Sequence, residues 1–462
     1  AVGAEQEYFL IDRQDYLERK DLLITGRKLF GAKPPKGQEL EEHYFGVIRP
    51  IVSDFMKDLD CELWKLGIYA KTKHNEVAPA QHELAPIFTT SNIAADYNQL
   101  TMEMMKKIAL KHGLVCLLHE KPFAGVNGSG KHNNWSISSN DGQNLLDPGD
   151  TPLHNMQFLT FLCAIIKGVH EYAPLLRLSA ASAGNDHRLG ANEAPPAVVS
   201  IFIGDDLQRV LDALENGTNI KTDQDLEFVI GVDALPNFRK DATDRNRTSP
   251  FAFTGNKFEF RMLGSADSIS CTNTIMNTIV AQELCEFADK LEQAEDFDKA
   301  LKELLIQTIK EHKAIIFNGN GYSDEWLEEA ARRGLPNLVS TVDALPHYMD
   351  PQNIAMFEKF HVYTKEEIAS RTDILLENYS KVINIEAMTM LDMTKKKLLP
   401  AAMEYGKKIC DTAIAKKQLG LDASAETKLA ADLDSNTAKM YEAMQALESK
   451  VNAAKEIGDV LE

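Results

Sequence analysis

The chain has 462 residues, 44% of them hydrophobic and 8% aromatic, which is enough to bury one large core and a second, smaller unit. Its 50 Lys and Arg residues against 69 Asp and Glu give a formal net charge of −19, so general attraction to nucleic acid or to an anionic membrane is not expected. No run of about 18 apolar residues is present to span a bilayer, and the six cysteines are scattered singly, as is typical of a reducing cytoplasm.

The hydrophobic pattern predicts mixed strands and helices first and almost only helices after residue 267. Strands are predicted over residues 2–11, 68–78, 82–88, 114–118, 134–137, 197–203 and 257–263, and helices over residues 45–66, 92–112, 153–171 and 206–215. Residues 364–457 predict three long helices, separated near residues 398–400 and 420–422. Strands mixed with helices, without regular βαβ alternation, favour an α+β fold with an antiparallel sheet.

The first predicted strand carries two acidic side chains on one face. Residues two apart on a strand point to the same side, so Glu5 and Glu7 project together while Gln6 faces away. Neighbouring carboxylates repel each other, and a cation between them removes that cost. A solvated edge strand is the alternative, and Phe9 on the same side as the two acids weakens it. The pattern indicates a candidate cation site.

Two more acidic residues and a histidine add to the candidate ligands. Glu76 and Glu83 flank a predicted turn at residues 79–80, so a hairpin brings them together across adjacent strands; a surface hairpin without a ligand is the alternative. His132 follows a loop of glycine and serine whose backbone allows close approach to a ligand. A lone histidine is also common as a structural residue, and such loops occur in ordinary turns.

Glu259 and Arg261 repeat the spacing of two and place an acid and a base on one strand face. They form either a salt-bridge pair or a metal ligand beside an anion-binding guanidinium. Loops upstream carry Arg188, Arg245 and Arg247. Guanidinium groups suit carboxylate and phosphate, although a single arginine is often only a surface residue.

The donor set indicates the chemistry. Oxygen ligands with one imidazole suit Mg²⁺ or Mn²⁺ better than zinc or copper. Two such ions with several arginines are typical of phosphoryl transfer, in which the protein positions the reactants and neutralises charge. The sequence contains neither a GxxxxGK[ST] loop nor the kinase motif set, so a nucleotide is expected to be held through metals and arginine.

Six motifs, in order along the chain, carry a resemblance to a known family. The segments GAEQEYF, HNEVAPAQHE, NGSGKHNNWS, RLGANEAPP, RNRTSP and KFEFR resemble the catalytic domain of glutamine synthetases, and the length and helical tail are similar to the large type III class. The resemblance implies a curved antiparallel sheet flanked by helices, with a catalytic domain over residues 1–350 and a helical extension over residues 351–462. It also implies ATP-dependent ligation of ammonia to glutamate through γ-glutamyl phosphate, with two or more Mg²⁺ or Mn²⁺ ions.

The resemblance gives each candidate residue a role by its position. The metal nearer glutamate is expected to bind Glu7, Glu76 and Glu83, and the metal at the ATP phosphates to bind Glu5, His132 and Glu259. Asn127, Gly128 and Arg188 are expected to contact glutamate, and Arg247, Asn134 and Ser136 to contact the nucleotide. Arg261 is expected near the reacting carboxylate and phosphate. Glu193 is expected on a flap that shields the intermediate and helps deprotonate ammonium.

Some features depart from the family pattern. Asn134 stands where a second histidine is common near the nucleotide, and Ala252 where many members have another phosphate-contacting arginine, for which Lys257 is a candidate replacement. Nothing in the sequence corresponds to the family's small N-terminal sheet domain, so we expect that domain to be missing upstream. The resemblance implies a cytoplasmic homo-oligomer, a dodecamer of two stacked hexameric rings.

Two other classes of protein compete with this interpretation. A γ-glutamyl-amine ligase would keep the metal ligands and use another amine in place of ammonia. A non-catalytic relative would be expected to lose metal ligands, and all six are present in the sequence.

Overall fold

The computed structural model describes residues 1–191, 194–218, 227–228, 238–239 and 247–457. The chain divides into two compact units. The first contains Ala1–Arg13 and Lys33–Thr372, and the second contains Gln14–Ala32 and Asp373–Glu462. Within the described ranges, no helix combines the length and the apolar character needed to cross a membrane.

The strands and helices follow one another in the order expected of an α+β protein. The strands are β1 (Val2–Asp12), β2 (Ala70–Asn75), β3 (Gln81–Pro86), β4 (Leu114–Leu117), β5 (Gly130–Trp135), β6 (Ile201–Phe202), β7 (Glu227–Phe228), β8 (Phe238–Arg239), β9 (Phe251–Phe253) and β10 (Phe258–Gly264). The helices are α1 (Arg13–Glu18), α2 (Lys20–Thr25), α3 (Pro50–Lys65), α4 (Ser91–Lys111), α5 (Met156–Glu171), α6 (Ala173–Leu178), α7 (Ala183–Asp186), α8 (Gly204–Asn216), α9 (Ile269–Glu292), α10 (Phe297–His312), α11 (Asp324–Arg332), α12 (Thr341–Ala344), α13 (Pro351–Lys359), α14 (Lys365–Met393), α15 (Leu399–Gln418) and α16 (Ser424–Ala454).

One mixed sheet organises the first unit. Its strand order over the described residues is β2-β3-β1-β5-β10-β9-β6, and β4 pairs with the far end of β1. The pairs are antiparallel except β6 with β9, which run parallel. The predicted α+β class with a mainly antiparallel sheet is therefore confirmed, with one parallel pair added at the β6 edge.

The two faces of β1 have different neighbours, as strand alternation requires. Tyr8 and Leu10 belong to a buried cluster that includes Phe55 of α3 and Met105 of α4. Gln6, on the same face, donates to the Ser265 hydroxyl at 2.8 Å. Helices thus cover this face of the strand, and the acidic residues between these positions are directed to the opposite face.

The turns that bound the elements explain where the predicted limits differ. Helix α3 begins at Pro50, five residues later than predicted, because Arg49 before it is extended (φ −60°, ψ 144°) and proline suits the first helical position. The β2–β3 hairpin turns through Ala80 at φ +64°, and the Glu76 N–H donates to the Gln81 carbonyl at 2.9 Å. The predicted hairpin between the two strands is confirmed.

The second unit is helical over its described residues. Its buried cluster consists of Leu391, Leu399, Met444 and Val451. The Arg27 guanidinium donates two hydrogen bonds of 2.7 Å to the Glu386 carboxylate. The predicted separation at residues 398–400 is wrong, because a π-helical turn over Thr394–Leu398 joins α14 directly to α15. Pro400 has no N–H to donate four residues back, and the Leu399 N–H instead bonds the Thr394 carbonyl five residues back.

Candidate active site

Strand register places two acidic residues and a histidine in a row across three neighbouring strands. His74 of β2 lies opposite Glu83 of β3, and Glu83 lies opposite Glu7 of β1. Cross-strand neighbours on one face are about 5 Å apart at Cβ, so the row is a direct result of pairing. A slip of one residue in any strand would turn its member of the row to the other face.

A second group of acidic and histidine side chains lies around Glu5, two residues before Glu7 on β1. Glu5 is paired in register with His132 of β5, and Glu259 of β10 pairs with Asn134, two residues beyond. The His132 Nδ1 lies 2.9 Å from Glu259 Oε1 and 3.3 Å from Glu5 Oε2. One ligand atom from each of Glu5, His132 and Glu259 falls within a span of 4.8 Å, which suits a metal ion.

A comparable group stands on the β2–β3 hairpin. The ligand atoms of His74, Glu76 and Glu83 lie within 4.8 Å of one another, with the His74 Nε2 at 3.1 Å from Glu83 Oε1 and its Nδ1 at 3.5 Å from Glu76 Oε1. Among the described residues, the structure therefore brings together two groups of three possible ligands. Their donors are carboxylates and imidazoles, which fit Mg²⁺ or Mn²⁺.

Glu7 lies between the two groups. The register places it beside Glu83, and its carboxylate accepts a hydrogen bond from the Gly130 N–H. Burial raises the pKa of Glu7 to about 7. The third possible ligand beside Glu76 and Glu83 is His74, where the sequence predicted Glu7. The role of Glu7 as a metal ligand stays a prediction.

The neighbouring carboxylates raise the pKa values of His132 and His74. Burial opposes a charged His132, but its bonds to Glu259 and Glu5 outweigh burial and raise the pKa of His132 well above its usual range. The hydrogen bond to Glu83 is the main cause that raises the pKa of His74 to about 9. The carboxylates thus create sites that favour positive charge, which a divalent cation supplies more strongly than a proton.

Cation binding is expected to tighten as pH rises. A cation needs neutral imidazole and ionised carboxylate, so its binding releases protons. Because the pKa values of Glu7 and His74 are raised to about 7 and about 9, affinity for Mn²⁺ should increase between about pH 6 and pH 9. Calorimetric titration in two buffers of different ionisation enthalpy measures both the affinity and the protons released. A dissociation constant independent of pH over this interval would contradict the prediction.

An open cleft of about 310 Å³ lies over both groups. Its volume lies within the roughly 300–1,000 Å³ of ordinary small-molecule pockets. Besides the acidic groups and Asn134, its lining includes three basic residues, Arg247, Lys257 and Arg261. Arg261 is buried and donates to Glu259 Oε2 at 3.1 Å. Negative and positive side chains therefore face one space, as a site for cations and anions together requires.

The other predicted site residues occupy different positions. Asn134 donates to Glu5 Oε1 at 2.9 Å from inside the cleft. Ser136 is outside the cleft lining, and its hydroxyl donates to Asn144 Oδ1 at 2.7 Å. Arg247 is exposed at the cleft. Glu193 and Arg245 lie outside the residues that the structure describes.

Arg188 and the Asn127–Gly130 loop pack closely against each other. Arg188 is 2% exposed, lies outside the cleft lining, and donates to the carbonyls of Leu263 and Arg261, each at 3.2 Å. Asn127 is also buried outside that lining, and the Gly128 carbonyl accepts from the Gln81 amide at 2.9 Å. The predicted contacts of Arg188, Asn127 and Gly128 with an amino-acid substrate stay predictions.

Two of the cleft-lining residues to which the sequence gave no role, His74 and Tyr44, lie close to the candidate cation ligands. His74 was in the quoted motif, and its spacing of two from Glu76 repeats that of Glu5 and Glu7, so the same alternation argument applies to it. Tyr44 lies in the cleft lining with its ring edge against His74, centroids 6.0 Å apart. No periodic pattern marks Tyr44, because it lies in an irregular segment.

The fold and the cleft define an α+β protein whose sheet carries carboxylate-rich groups of possible ligands that suit divalent cations. Residues 1–199 match the model of the glutamine synthetase catalytic domain, and residues 300–417 match that of the glutamine synthetase C-terminal domain. The chain belongs to the glutamine synthetase family, whose members use ATP and divalent metals. The resemblance stated from the motifs is confirmed.

Individual relatives agree with this assignment. The chain is 52% identical over 465 residues to a glutamine synthetase of Butyrivibrio fibrisolvens, covering 100% of this chain and 66% of that protein. It is 49% identical over 418 residues to a type-3 glutamine synthetase of Dictyostelium discoideum, covering 89% and 56%. The chain thus spans 66% and 56% of the lengths of these two relatives. A cryo-EM structure of Plasmodium falciparum glutamine synthetase shares the fold at 14% identity, with a TM-score of 0.52 over 82% of this chain and 72% of that one.

Proposed function

We propose that this protein is an ATP-dependent glutamate–ammonia ligase. The observation that carries the proposal is the single cleft in which two groups of cation ligands face Arg247, Lys257 and Arg261. Glutamate and ATP are both anions, and their reacting ends repel each other in water. Cations and basic side chains in one cleft offset that repulsion and hold the two substrates in reacting geometry.

The proposed reaction has two steps. A γ-carboxylate oxygen of glutamate attacks the ATP γ-phosphorus; the new O–P bond gives γ-glutamyl phosphate, while the bond from the γ-phosphorus to the β–γ bridging oxygen breaks and ADP leaves. Ammonia then attacks the activated carbonyl carbon and gives up one proton, and the C–O bond to phosphate breaks, so that phosphate leaves and glutamine is formed. A carboxylate is a poor electrophile, and the first step changes its oxygen into a leaving group.

The proposed residue roles follow the family resemblance. Glu7, Glu76 and Glu83 would hold the cation near glutamate, and Glu5, His132 and Glu259 the cation near the ATP phosphates, with Mg²⁺ or Mn²⁺ supplying charge neutralisation. Arg261 is 3% exposed and directed into the cleft, which suits a contact with the reacting carboxylate and phosphate. Arg188 would bind the glutamate α-carboxylate, while Arg247, Asn134 and Ser136 would serve the nucleotide.

The proposed function extends to the cellular location, the number of subunits and the division of the chain into domains. We propose a cytoplasmic homo-oligomer, a dodecamer of two hexameric rings, with a catalytic domain over residues 1–350 and a helical extension over residues 351–462. The support is the similarity to a type-3 glutamine synthetase. Mass photometry of the purified protein would test the number of subunits.

The choice of amine tests the proposed activity. ADP and γ-glutamyl product are measured with saturating glutamate, ATP and Mg²⁺ while the amine is varied among ammonium, ethylamine and a diamine. We expect ammonium to give the highest kcat/KM. A clear preference for one of the organic amines would replace the proposal with a γ-glutamyl-amine ligase, and absence of ADP formation with every amine would reject ligase activity.

Glu193→Ala is expected to abolish glutamine formation without weakening cation binding. By resemblance, Glu193 accepts a proton from the incoming ammonium, and removal of a positioned general base typically lowers the rate by about 10²–10⁴-fold. Glutamine formation and the Mn²⁺ dissociation constant are measured on the same preparation. Turnover close to that of the wild type would contradict the assigned role, and so would a parallel loss of Mn²⁺ affinity.

A further inference from the structure

Two carboxylates of the candidate cation site stand on either side of His132. The His132 Nδ1 lies 2.9 Å from Glu259 Oε1 and 3.3 Å from Glu5 Oε2, so each carboxylate presents one oxygen to the imidazole. A further side chain of the cleft holds the other oxygen of each carboxylate. Arg261 Nη2 donates to Glu259 Oε2 at 3.1 Å, and Asn134 Nδ2 donates to Glu5 Oε1 at 2.9 Å. Both carboxylates are therefore held from outside the group of ligand atoms.

Strand register brings Asn134 within reach of Glu5. Asn134 of β5 pairs with Gly3 of β1 on one side and with Glu259 of β10 on the other. Residues two apart on a strand share a face, so Asn134 lies on the same face as His132. Gly3 contributes no side chain to that face, and the next residue of β1 on it is Glu5. This diagonal neighbour is at a distance that a long side chain such as glutamate spans.

The chemistry of the two groups fixes the direction of the bond. An ionised carboxylate only accepts hydrogen bonds, so the amide nitrogen of Asn134 faces Glu5. The amide is neutral, and it orients the carboxylate without adding positive charge that would compete with a cation. Glu5 depends on this bond more than Glu259 depends on its own, because the Glu5 side chain is 29% exposed against 10% for Glu259 and keeps more rotamer freedom.

We propose that Asn134 is a positioning residue for the cation ligand Glu5, holding Glu5 Oε1 so that Oε2 stays beside His132. The inference rests on the proposed function, in which Glu5, His132 and Glu259 hold the cation near the ATP phosphates. It gives Asn134, which stands where the family commonly has histidine, a role in addition to its expected contact with the nucleotide. Side chains that orient metal ligands typically change metal affinity by about 10–100-fold.

Asn134→Leu tests the hydrogen bond, because leucine is similar in size to asparagine and cannot donate. The matched control is Asn216→Leu at the last residue of α8, outside the cleft lining. Asn216 is exposed, and its amide donates to the Asp212 carbonyl at 2.8 Å. Each variant loses one neutral amide donor, but only Asn134 lies beside a candidate cation site.

Calorimetric titration with Mn²⁺ alone, on the complete protein without nucleotide, measures the effect. Glu76→Ala first identifies the class of sites on the β2–β3 hairpin, because only that class should weaken in this variant. We expect Asn134→Leu to raise the Mn²⁺ dissociation constant of the other class by about 10–100-fold and to leave the hairpin class unchanged. Asn216→Leu should change neither class.

A double-mutant cycle shows whether Asn134 acts through Glu5. In a Glu5→Ala background, Asn134→Leu should cause no further loss of Mn²⁺ affinity, and an additive loss would overturn the proposal. Unchanged Mn²⁺ affinity in Asn134→Leu would also overturn it, and a raised KM for ATP in that case would leave Asn134 with the nucleotide contact alone. Equal weakening of both classes of sites would indicate a general structural role and would count against the proposal as well.

The failure of this proposal is distinguishable from failure of the proposed function. If the wild-type protein does not bind Mn²⁺, the cation site itself fails before any variant is compared. If the wild type binds Mn²⁺ but forms no glutamine, the ligase function fails, while the effect of Asn134 on the cation site is still measured. If the wild type does both and Asn134→Leu binds Mn²⁺ as the wild type does, only the positioning role fails.

Discussion

Glu76→Ala is expected to lower the rate of glutamine formation by at least about 10²–10³-fold while the protein stays folded. Glu76 is 6% exposed, and its carboxylate lies with the Glu83 carboxylate and the His74 imidazole in one group of ligand atoms. Removing it takes away a fixed negative charge at the place where a cation would neutralise the reacting anions. Replacing a residue that only orients a metal ligand typically weakens metal binding by at least about tenfold. Loss of a ligand itself should therefore raise the Mn²⁺ dissociation constant by more than about tenfold.

The fold should tolerate this change because Glu76 is held by its backbone. Its N–H donates to the Gln81 carbonyl and its own carbonyl accepts from His43, and both bonds survive truncation of the side chain. Removing one of several clustered carboxylates also reduces repulsion when no cation is bound. We therefore expect the Tm without metal to be equal to or higher than that of the wild type, and the increase in Tm on addition of Mn²⁺ to be much smaller.

Glu103→Gln is a matched control for the loss of an acidic charge. Glu103 lies on the surface of α4 and pairs with Lys107 at 3.0 Å, a contact that contributes little in water. Activity, Mn²⁺ affinity and Tm should all stay near the wild-type values. If Glu76→Ala retained turnover comparable to this control, the hairpin group would not be a catalytic cation site.

The candidate site was largely predictable because it is built on strands. Alternation gave the common face of Glu5 and Glu7, and the hairpin turn at residues 79–80 gave the approach of Glu76 to Glu83. The register that places His74, Glu83 and Glu7 in one row depends on which strands become neighbours. Glu7 and Glu83 are 76 residues apart in the sequence (83 − 7), and pairing over that distance leaves no local signal. The motifs therefore identified the acidic candidate ligands, whereas only the structure showed that His74 lies among them.

Irregular segments were the part that the sequence did not predict. Residues 45–49 of the irregular segment before α3 were included in the predicted helix over residues 45–66, since Phe45 and Ile48 match helical spacing. Phe45 and Val47 are in fact exposed, and the segment is defined by side-chain bonds from Gln38 and His43 rather than by periodic burial. Similarly, residues 364–457 show the correct helical pattern, but a proline inside it was taken as an end, whereas a π-helical turn accommodates it.

Gly130→Ala is expected to destabilise the first unit and to disable the site together. A Cβ at residue 130 would lie 2.0 Å from Arg188 Nη2 and 2.8 Å from the Leu263 carbonyl oxygen. The backbone oxygen cannot move away as a flexible chain end would, and Arg188 is buried with its guanidinium bonded to the carbonyls of Leu263 and Arg261. Either Arg188 gives up these bonds or strand β5 shifts away from β10.

The size of the effect follows from overpacking in a buried region. Forcing an extra methyl group into a well-packed core costs about 1–3 kcal/mol, and disturbed bonds of a buried guanidinium add to that. We expect the free energy of unfolding to fall by about 2–4 kcal/mol. Activity of the folded fraction should also fall, because the Gly130 N–H bonds the Glu7 carboxylate and a shift of β5 would move His132 relative to Glu5.

Gly406→Ala, which adds the same methyl group, provides the comparison. Gly406 lies on α15, where a Cβ would find only Leu433 Cδ2 at 3.5 Å, an ordinary contact. Alanine in a helix is favoured over glycine, so this variant should be stabilised by roughly 0.5–1 kcal/mol and keep full activity. Urea unfolding followed by far-UV circular dichroism, with activity measured on the same samples, tests both. If the two variants changed stability alike, the close approach of Arg188 to Gly130 would not constrain residue 130, and the loop would not depend on glycine there.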